Sequence, residues 1–409
     1  MYLPITHVED PETAGFSTLR LERLDNLFRG YVTRGELPGM IATVARQGKT
    51  VYYQKFGWKD IETQEPMRAD TIFMIASMTK PITAVAAMML YEEGHFQLNT
   101  PVSTFLPGFK DVMVYAGGQG DQIKLTPLDR EITFRHLFTH TAGLSYGWDE
   151  NDPVDRLYQQ AQQKYQQQGL PFTNRVLAEE LSHLPLAFQP GTHWRYSLSI
   201  DVLGALVEII SGQPLDQYLK GRIFDPLGMP DTAFFIPSEK LNRVAAVYGH
   251  PNPEEGLKRM EAIKPETAPP AFASGGGGLV STIGDYSRFC QMMVDEGEFD
   301  GHRLLSPKTV ELFAINHCPP EALPYAFEVG SLYHAGYGYS LGTRVLMDVS
   351  QSGIAGSPGE YGWDGAYSTY FWIDPLEKLY GLLMLQHSPN AYYPIHQQFK
   401  QLTYQAMIA

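Results

Sequence analysis

Cysteine is almost missing from this chain: Cys290 and Cys318 are the only two in 409 residues. Cys290 falls in a helical pattern and reads as core, so neither a disulfide framework nor a cysteine-built metal site is expected. The 12 histidines include no His-Glu-x-x-His and show no zinc spacing, and no metal or cofactor is expected. Basic blocks are missing too, and the net charge is −14, which argues against nucleic acid and anionic membranes as partners. No apolar run approaches the ~18 residues of a membrane span, and Met1 to Asp10 has neither the basic nor the apolar region of a secretory signal. The chain is therefore expected to be soluble and cytoplasmic. Its residues are 44% hydrophobic and 19% charged, enough for a large core in one domain or two closely joined ones.

What the chain does have is a single Ser-x-x-Lys, Ser77-Met78-Thr79-Lys80. Serine is a good N-cap, and Pro81 in the first turn lacks an N–H that would have no intrahelical acceptor. The pattern predicts a helix opened by Ser77 and closed by Gly94. Residues three apart share a helix face, so the Lys80 ammonium can reach the Ser77 hydroxyl beside the N–H groups of the helix start. That is a nucleophile with a base and the beginning of an oxyanion hole. The tetrapeptide alone is better read as an ordinary surface helix start. Its setting decides otherwise: Ile72 to Ala76 before it and Ile82, Val85, Met88, Met89 and Leu90 after it make the helix buried, and a buried lysine needs a reason.

Along the chain, residues 16–33 carry a helical period, and residues 40–53 read as a hairpin around Gln47-Gly48-Lys49. Residues 132–140 read as helix, and the Gln-rich run 159–168 as a solvated helix face. A helix over 201–210 ends at Gly212. A Pro- and Glu-rich surface connection at 252–270 leads to Gly275-Gly276-Gly277-Gly278 and a further helix around 286–294. Aromatic, alternating strands are expected at 337–346, 367–373 and 378–386, and a last helix at about 394–407. Strands at both ends imply an α/β (α+β) fold with one sheet built from both termini. Residues 1–75 and 271–409 form its α/β part, and residues 76–270 a mainly helical region, with the site between them.

Two other motifs are set aside. Gly143-Leu144-Ser145-Tyr146-Gly147 matches Gly-x-Ser-x-Gly, and Asp374 and His387 could complete a triad. That motif needs a strand before its serine and a helix after it; here a helix precedes and a polar loop follows. Gly275 to Gly278 is followed by no Gly-Lys-Ser/Thr, so it reads as a close-packed turn near the site and not as a phosphate loop.

Ser77-Met78-Thr79-Lys80, the run ITFRHLFTHTAGLSY from Ile132, Tyr196-Ser197-Leu198, Gly278-Leu279-Val280-Ser281-Thr282 and Gly336-Tyr337-Gly338-Tyr339 resemble, in order and spacing, the class C β-lactamase-like serine hydrolases. The detailed likeness is to the family VIII carboxylesterases, and more distantly to fungal acyltransferases that make statin esters. The resemblance spans residues 19–407 and implies a β-lactamase/transpeptidase-like fold, an antiparallel sheet flanked by helices with an inserted helical region. It implies that Ser77 is the nucleophile, that Lys80 helps to deprotonate it and that Tyr196 handles a second proton. A Lys-Thr-Gly or His-x-Gly third motif is not intact; its counterpart is Trp363-Asp364-Gly365. The backbone N–H groups of Ser77 and Ala366 then form the oxyanion hole. Trp363, Asp364, Gly365 and Leu198 would meet the substrate, with apolar surface from Trp363 and Leu198 and repulsion of carboxylates by Asp364. The implied activity is hydrolysis of neutral esters with short to medium acyl chains. A β-lactamase or D-amino-acid peptidase and an acyltransferase to a bulky alcohol are the alternatives. A non-catalytic scaffold is disfavoured because Ser77, Lys80 and Tyr196 are all present.

Overall fold

Strand β1, Gly39–Arg46, is buried along its whole length, and its side chains divide by parity between two cores, as a pleated strand requires. Met40, Ala42 and Val44 join one hydrophobic cluster, and Ile41 and Ala45 the other. Gln47 and Gly48 both take positive φ, 54° and 76°, the twist that lets a two-residue turn fold the chain back into β2, Lys49–Asp60.

A computed structural model describes residues 7–168, 172–250, 252, 255–326 and 335–409. Beyond β2 come β3 (Glu65–Pro66), β4 (Tyr337–Tyr339), β5 (Arg344–Leu346), β6 (Tyr361–Asp364), β7 (Tyr370–Asp374) and β8 (Leu379–Leu385). Among the described residues they form one eight-stranded sheet in the order β4-β5-β6-β7-β8-β1-β2-β3, every neighbour antiparallel. The first hairpin meets the last strand through β1 and β8, from Met40 opposite Leu385 to Arg46 opposite Leu379. The sheet is thus built from both termini, with the helical region inserted between β3 and β4. The stretch 337–346, expected as one strand, is two, because Ser340 to Thr343 turn the chain back.

The main helices are α1 (Thr18–Thr33), α2 (Thr79–Glu92), α3 (Phe134–Phe138), α4 (Pro153–Gln168), α5 (Asn174–Leu181), α6 (Ser199–Ser211), α7 (Ile283–Val294) and α8 (Ile395–Ala406). α1 and α8 cover one face of the sheet, where Phe28 and Trp372 meet Phe399 edge to face at 5.5 and 5.0 Å. α7 covers the other, with Tyr286 against Phe371 at 5.3 Å, and α2 and α6 share its core.

Two short segments carry the chain from sheet to site. Ile72–Met74 pairs antiparallel with Val280–Thr282, and Ile75 N–H donates to Leu279 O at 3.1 Å. This ribbon sets the residues before Ser77 beside those after the glycine cluster, although the paired residues are far apart in the chain.

The middle of α8 is joined to the residue just before β6 by a buried ion pair, Lys400 Nζ to Glu360 Oε1 at 2.5 Å, with side chains 2% and 3% exposed. The Tyr404 hydroxyl oxygen lies 2.9 Å from the other Glu360 oxygen. Removing one partner of such a pair strands the other charge in the interior. Lys400→Ala is expected to cost about 3–5 kcal/mol and to lower the urea midpoint accordingly; an unchanged midpoint would show that Glu360 is relieved by taking up a proton.

Candidate active site

Ser77 does not cap the helix as the sequence suggested. Ala76 is turned to φ +43°, which starts a 3₁₀ turn over Ala76–Met78, and α2 begins only at Thr79 with no side-chain cap. The Ser77 hydroxyl is therefore left for another partner: Lys80 Nζ donates to Ser77 Oγ at 3.1 Å. The bonds that define the turn, Met78 N–H to Ile75 O and Thr79 N–H to Ala76 O, do not use the Ser77 N–H.

Lys80 is wholly buried, at 0% exposure. Burial pushes its ammonium down to about 7, against the opposing pull of the charges on Asp201 and Asp364. Its second bond goes to Gly276 O at 2.6 Å, and it lies 4.5 Å over the ring of Tyr196. The Gly276 N–H in turn donates to Asp201 Oδ1 at 3.0 Å, where the Ser274 hydroxyl also donates at 2.6 Å. A Cβ on residue 276 would stand 2.3 Å from Asp201 Oδ2, so this close approach requires glycine. The glycine cluster read as a close-packed turn near the site is one: the backbone of a single residue, Gly276, links the buried Asp201 to the buried Lys80. Burial raises the Asp201 carboxyl above the ordinary range, with Lys80 opposing.

Asp201 was not picked out from the sequence, although a signal for it was there. It is an acid in the first turn of α6 amid the apolar residues Ile200, Val202 and Leu203, which is as anomalous as the lysine in α2.

Tyr196 stands on the other side of Ser77 and is hydrogen-bonded to it; burial holds its phenol well above the ordinary range. Its position is fixed by aromatic neighbours: His140, Tyr146, Trp194 and Trp363 have ring centroids 4.8, 5.3, 5.9 and 5.7 Å away. Trp363 Nε1 donates to Tyr196 Oη at 3.1 Å. His140, buried and pushed down by burial, bonds Ser197 through Nδ1 at 3.2 Å.

The structure brings Trp363-Asp364-Gly365 to Ser77 but changes what those side chains offer. Trp363 is 1% exposed and presents its indole N–H to Tyr196, so it supplies little apolar surface to a ligand. Asp364 is neutralised: Arg344 Nη1 lies 3.1 Å from its Oδ2, and Asn390 Nδ2 donates to its Oδ1 at 2.6 Å. The repulsion expected of it is correspondingly weak. Gly365 packs so tightly that a Cβ would be 2.4 Å from Ile75 O, which seats the end of β6 on the turn before Ser77. Ala366, the next residue, is exposed, and its N–H makes no backbone hydrogen bond among the described residues. Leu198 and Tyr146 are half-buried.

Ser145 is used elsewhere. It is 2% exposed and donates to Asp155, which Arg195 Nη2 also meets at 3.0 Å, so its hydroxyl serves to hold the loop before α4. Asp374 accepts from the Tyr404 hydroxyl at 2.7 Å, on the α8 side of the sheet. Among the described residues no group of His, Cys, Asp or Glu has the arrangement to hold a metal ion, and no helix is long and apolar enough to cross a membrane.

A family model described as Beta-lactamase matches residues 24–405. Protein Rv1367c of Mycobacterium tuberculosis (strain H37Rv) is 36% identical over 361 residues, 87% of each chain. Esterase EstB of Burkholderia gladioli is 31% identical over 390 residues, 90% of each chain. Among solved structures, EstCE1, described as a hydrolase with promiscuous acyltransferase activity, superposes with a TM-score of 0.76 at 24% identity, over 95% of this chain and 98% of that one. Both the sequence relatives and the shared fold run the length of the chain.

Asp201→Asn keeps an oxygen for the Gly276 and Ser274 donors but removes the negative charge that favours the Lys80 ammonium. Lys80 should then lose its proton at lower pH. The half-maximal pH for labelling of Ser77 by a fluorophosphonate is expected to move downward in this variant; an unchanged or higher value would mean that Asp201 does not bear on Lys80.

Proposed function

The chain belongs to the Beta-lactamase family and is a serine hydrolase of that fold, and on this premise we propose that it is a serine esterase working through an acyl-enzyme on Ser77. The observation that carries the reading is a lysine amine with no solvent contact, bonded to a serine hydroxyl at 3.1 Å. A serine hydroxyl is a poor nucleophile until a neighbour takes its proton, and an amine pushed down to about 7 is half neutral near physiological pH. Such a group is matched to general-base work.

In the proposed reaction Ser77 Oγ attacks the ester carbonyl carbon as its proton passes to the neutral Lys80 amine. The carbonyl oxygen becomes an oxyanion facing the N–H groups of Ser77 and Ala366. Tyr196, kept protonated by burial and hydrogen-bonded to Ser77, relays the proton from Lys80 to the departing alkoxide, which leaves as an alcohol. Water then attacks the acyl-serine, its proton returning by the same groups, and the carboxylic acid and free Ser77 are released. Trp363, donating to Tyr196 Oη, holds the phenol oxygen on the Ser77 side of its ring.

Neutral esters with short to medium acyl chains are the proposed substrates. Leu198, where the β-lactamases resembled carry an amide side chain, offers apolar contact. Trp363 replaces their Lys or His and is itself buried against Tyr196, so the carboxylate of a β-lactam finds no cation at that position. With Asp364 neutralised by Arg344 and Asn390, the discrimination rests on the missing cation more than on repulsion. EstB, whose name is that of an esterase, supports the same choice.

Ser77→Ala is expected to abolish hydrolysis of p-nitrophenyl butyrate, with a fluorophosphonate label mapping to Ser77 in the unaltered protein and Ser145→Ala retaining most activity. The specificity constant for nitrocefin should fall orders of magnitude below that for the butyrate. A label on Ser145, or a nitrocefin constant equal to the ester's, contradicts the proposal.

A further inference from the structure

Behind Tyr146 and Leu198 lies a cavity of about 300 Å³ bordered by α4, α5 and the residues around Phe172 and Phe272. That is roughly twice the ~150 Å³ of a dry apolar cavity that admits benzene. The run 159–168, expected to be a solvated face, exposes Gln160, Gln163 and Gln167; on the inner side of the same helix Tyr158, Ala161 and Tyr165, spaced three and four apart on one stripe, line this cavity. Leu177 and Leu181 of α5 form the opposite wall.

The walls are mainly aromatic. Tyr165 meets Phe172 edge to face at 5.1 Å, and Phe172 meets Phe272 in the same way at 5.4 Å, so these rings hold one another in fixed orientations. At the mouth, Tyr146 stacks on Trp148 at 4.3 Å with their planes 3° apart. Trp148 is nevertheless 60% exposed, and an indole held parallel to its neighbour with a face left open is a surface for a further ring. The polar residues on the wall, Gln162 and Glu180, are exposed and lie at the outer rim. A carboxylate-bearing group reaching that rim would meet the Glu180 charge.

Resting on the reading of Ser77 as an esterase nucleophile, we propose that this cavity receives one uncharged, ring-bearing arm of the ester, a fused bicyclic group larger than the single ring of a p-nitrophenyl ester. Tyr146 joins it to the reacting atoms: the same ring lines the cavity, packs on Tyr196 at 5.3 Å and lies 5.6 Å from Lys80 Nζ. Leu198, two residues after Tyr196, is the other shared wall. Short linear esters would leave the cavity largely unfilled, whereas a naphthyl group matches its size and ring-lined walls.

The test compares three esters: p-nitrophenyl acetate, p-nitrophenyl 2-naphthylacetate with the ring on the acyl arm, and 2-naphthyl acetate with the ring on the alcohol arm. In the unaltered protein one of the naphthyl esters should exceed p-nitrophenyl acetate in kcat/KM by at least tenfold, and which one does so assigns the arm. Ala161→Phe, which fills the cavity from α4, should lower that ratio at least tenfold. Trp148→Ala, at a position 60% exposed, should lower it severalfold. A ratio unchanged within twofold in both variants overturns the proposal, as does a lack of preference for either naphthyl ester. If p-nitrophenyl acetate is cleaved equally well by Ser77→Ala, it is the esterase reading that falls, and the cavity assignment falls with it.

Discussion

An ammonium group taken out of water costs on the order of several kcal/mol unless its donors are met and its charge is answered, and Lys80 is such a group. The helix that carries it is otherwise mostly apolar, so partners have to be brought from elsewhere in the chain. The ribbon of Ile72–Met74 with Val280–Thr282 does this, delivering the Gly276 carbonyl to Lys80 Nζ and the Gly276 amide to Asp201. Gly276 has to be glycine because Asp201 leaves no room for a Cβ. Even so the compensation is incomplete: Asp201 Oδ2 is buried with no hydrogen-bond partner among the described residues, and no direct ion pair joins Asp201 to Lys80. Burial therefore prevails over the opposing charges, and the amine is pushed down to about 7. The proposed chemistry depends on that outcome, since a fully charged lysine could hold the serine but could not take its proton.

The same burial acts in the opposite direction on Tyr196, whose phenol is held well above its ordinary range. In the proposed reaction the two groups would separate their tasks: the amine accepts a proton near neutrality, and the phenol retains one to pass on. Its ring is packed among His140, Tyr146, Trp194 and Trp363, and the Trp363 indole N–H fixes the direction of its oxygen. A phenol held this rigidly needs little reorganisation as charge moves past it.

Much of this was legible in the sequence where the signal is local. The Ser77 to Lys80 spacing, the hairpin over β1 and β2, and the buried helix behind Lys80 all follow from periodicity and turn chemistry. So does the expectation that the glycine cluster packs beside the site. Features set by pairing between distant residues were not legible. Trp363 is buried because β6 lies between β5 and β7, opposite Phe371, and no local pattern gives that register. Asp364 is paired with Arg344 and Asn390, which lie 20 and 26 residues away in the chain. Ser77 sits one turn ahead of its helix because Ala76 adopts a left-handed φ, a conformation that alanine does not advertise. Asp201 and the aromatic stripe of α4 were readable in principle; both are residues of the wrong polarity for the segment that holds them.

The account turns on the protonation of Lys80, which can be observed without any substrate. Protein labelled with ¹³C at the lysine ε-carbon would be titrated by NMR, the Lys80 signal being the one absent from Lys80→Arg. The account predicts a midpoint near 7, as burial requires. A midpoint near the ~10.4 of an ordinary lysine would contradict it, because the ammonium would then stay charged through neutral pH and Ser77 would have no base.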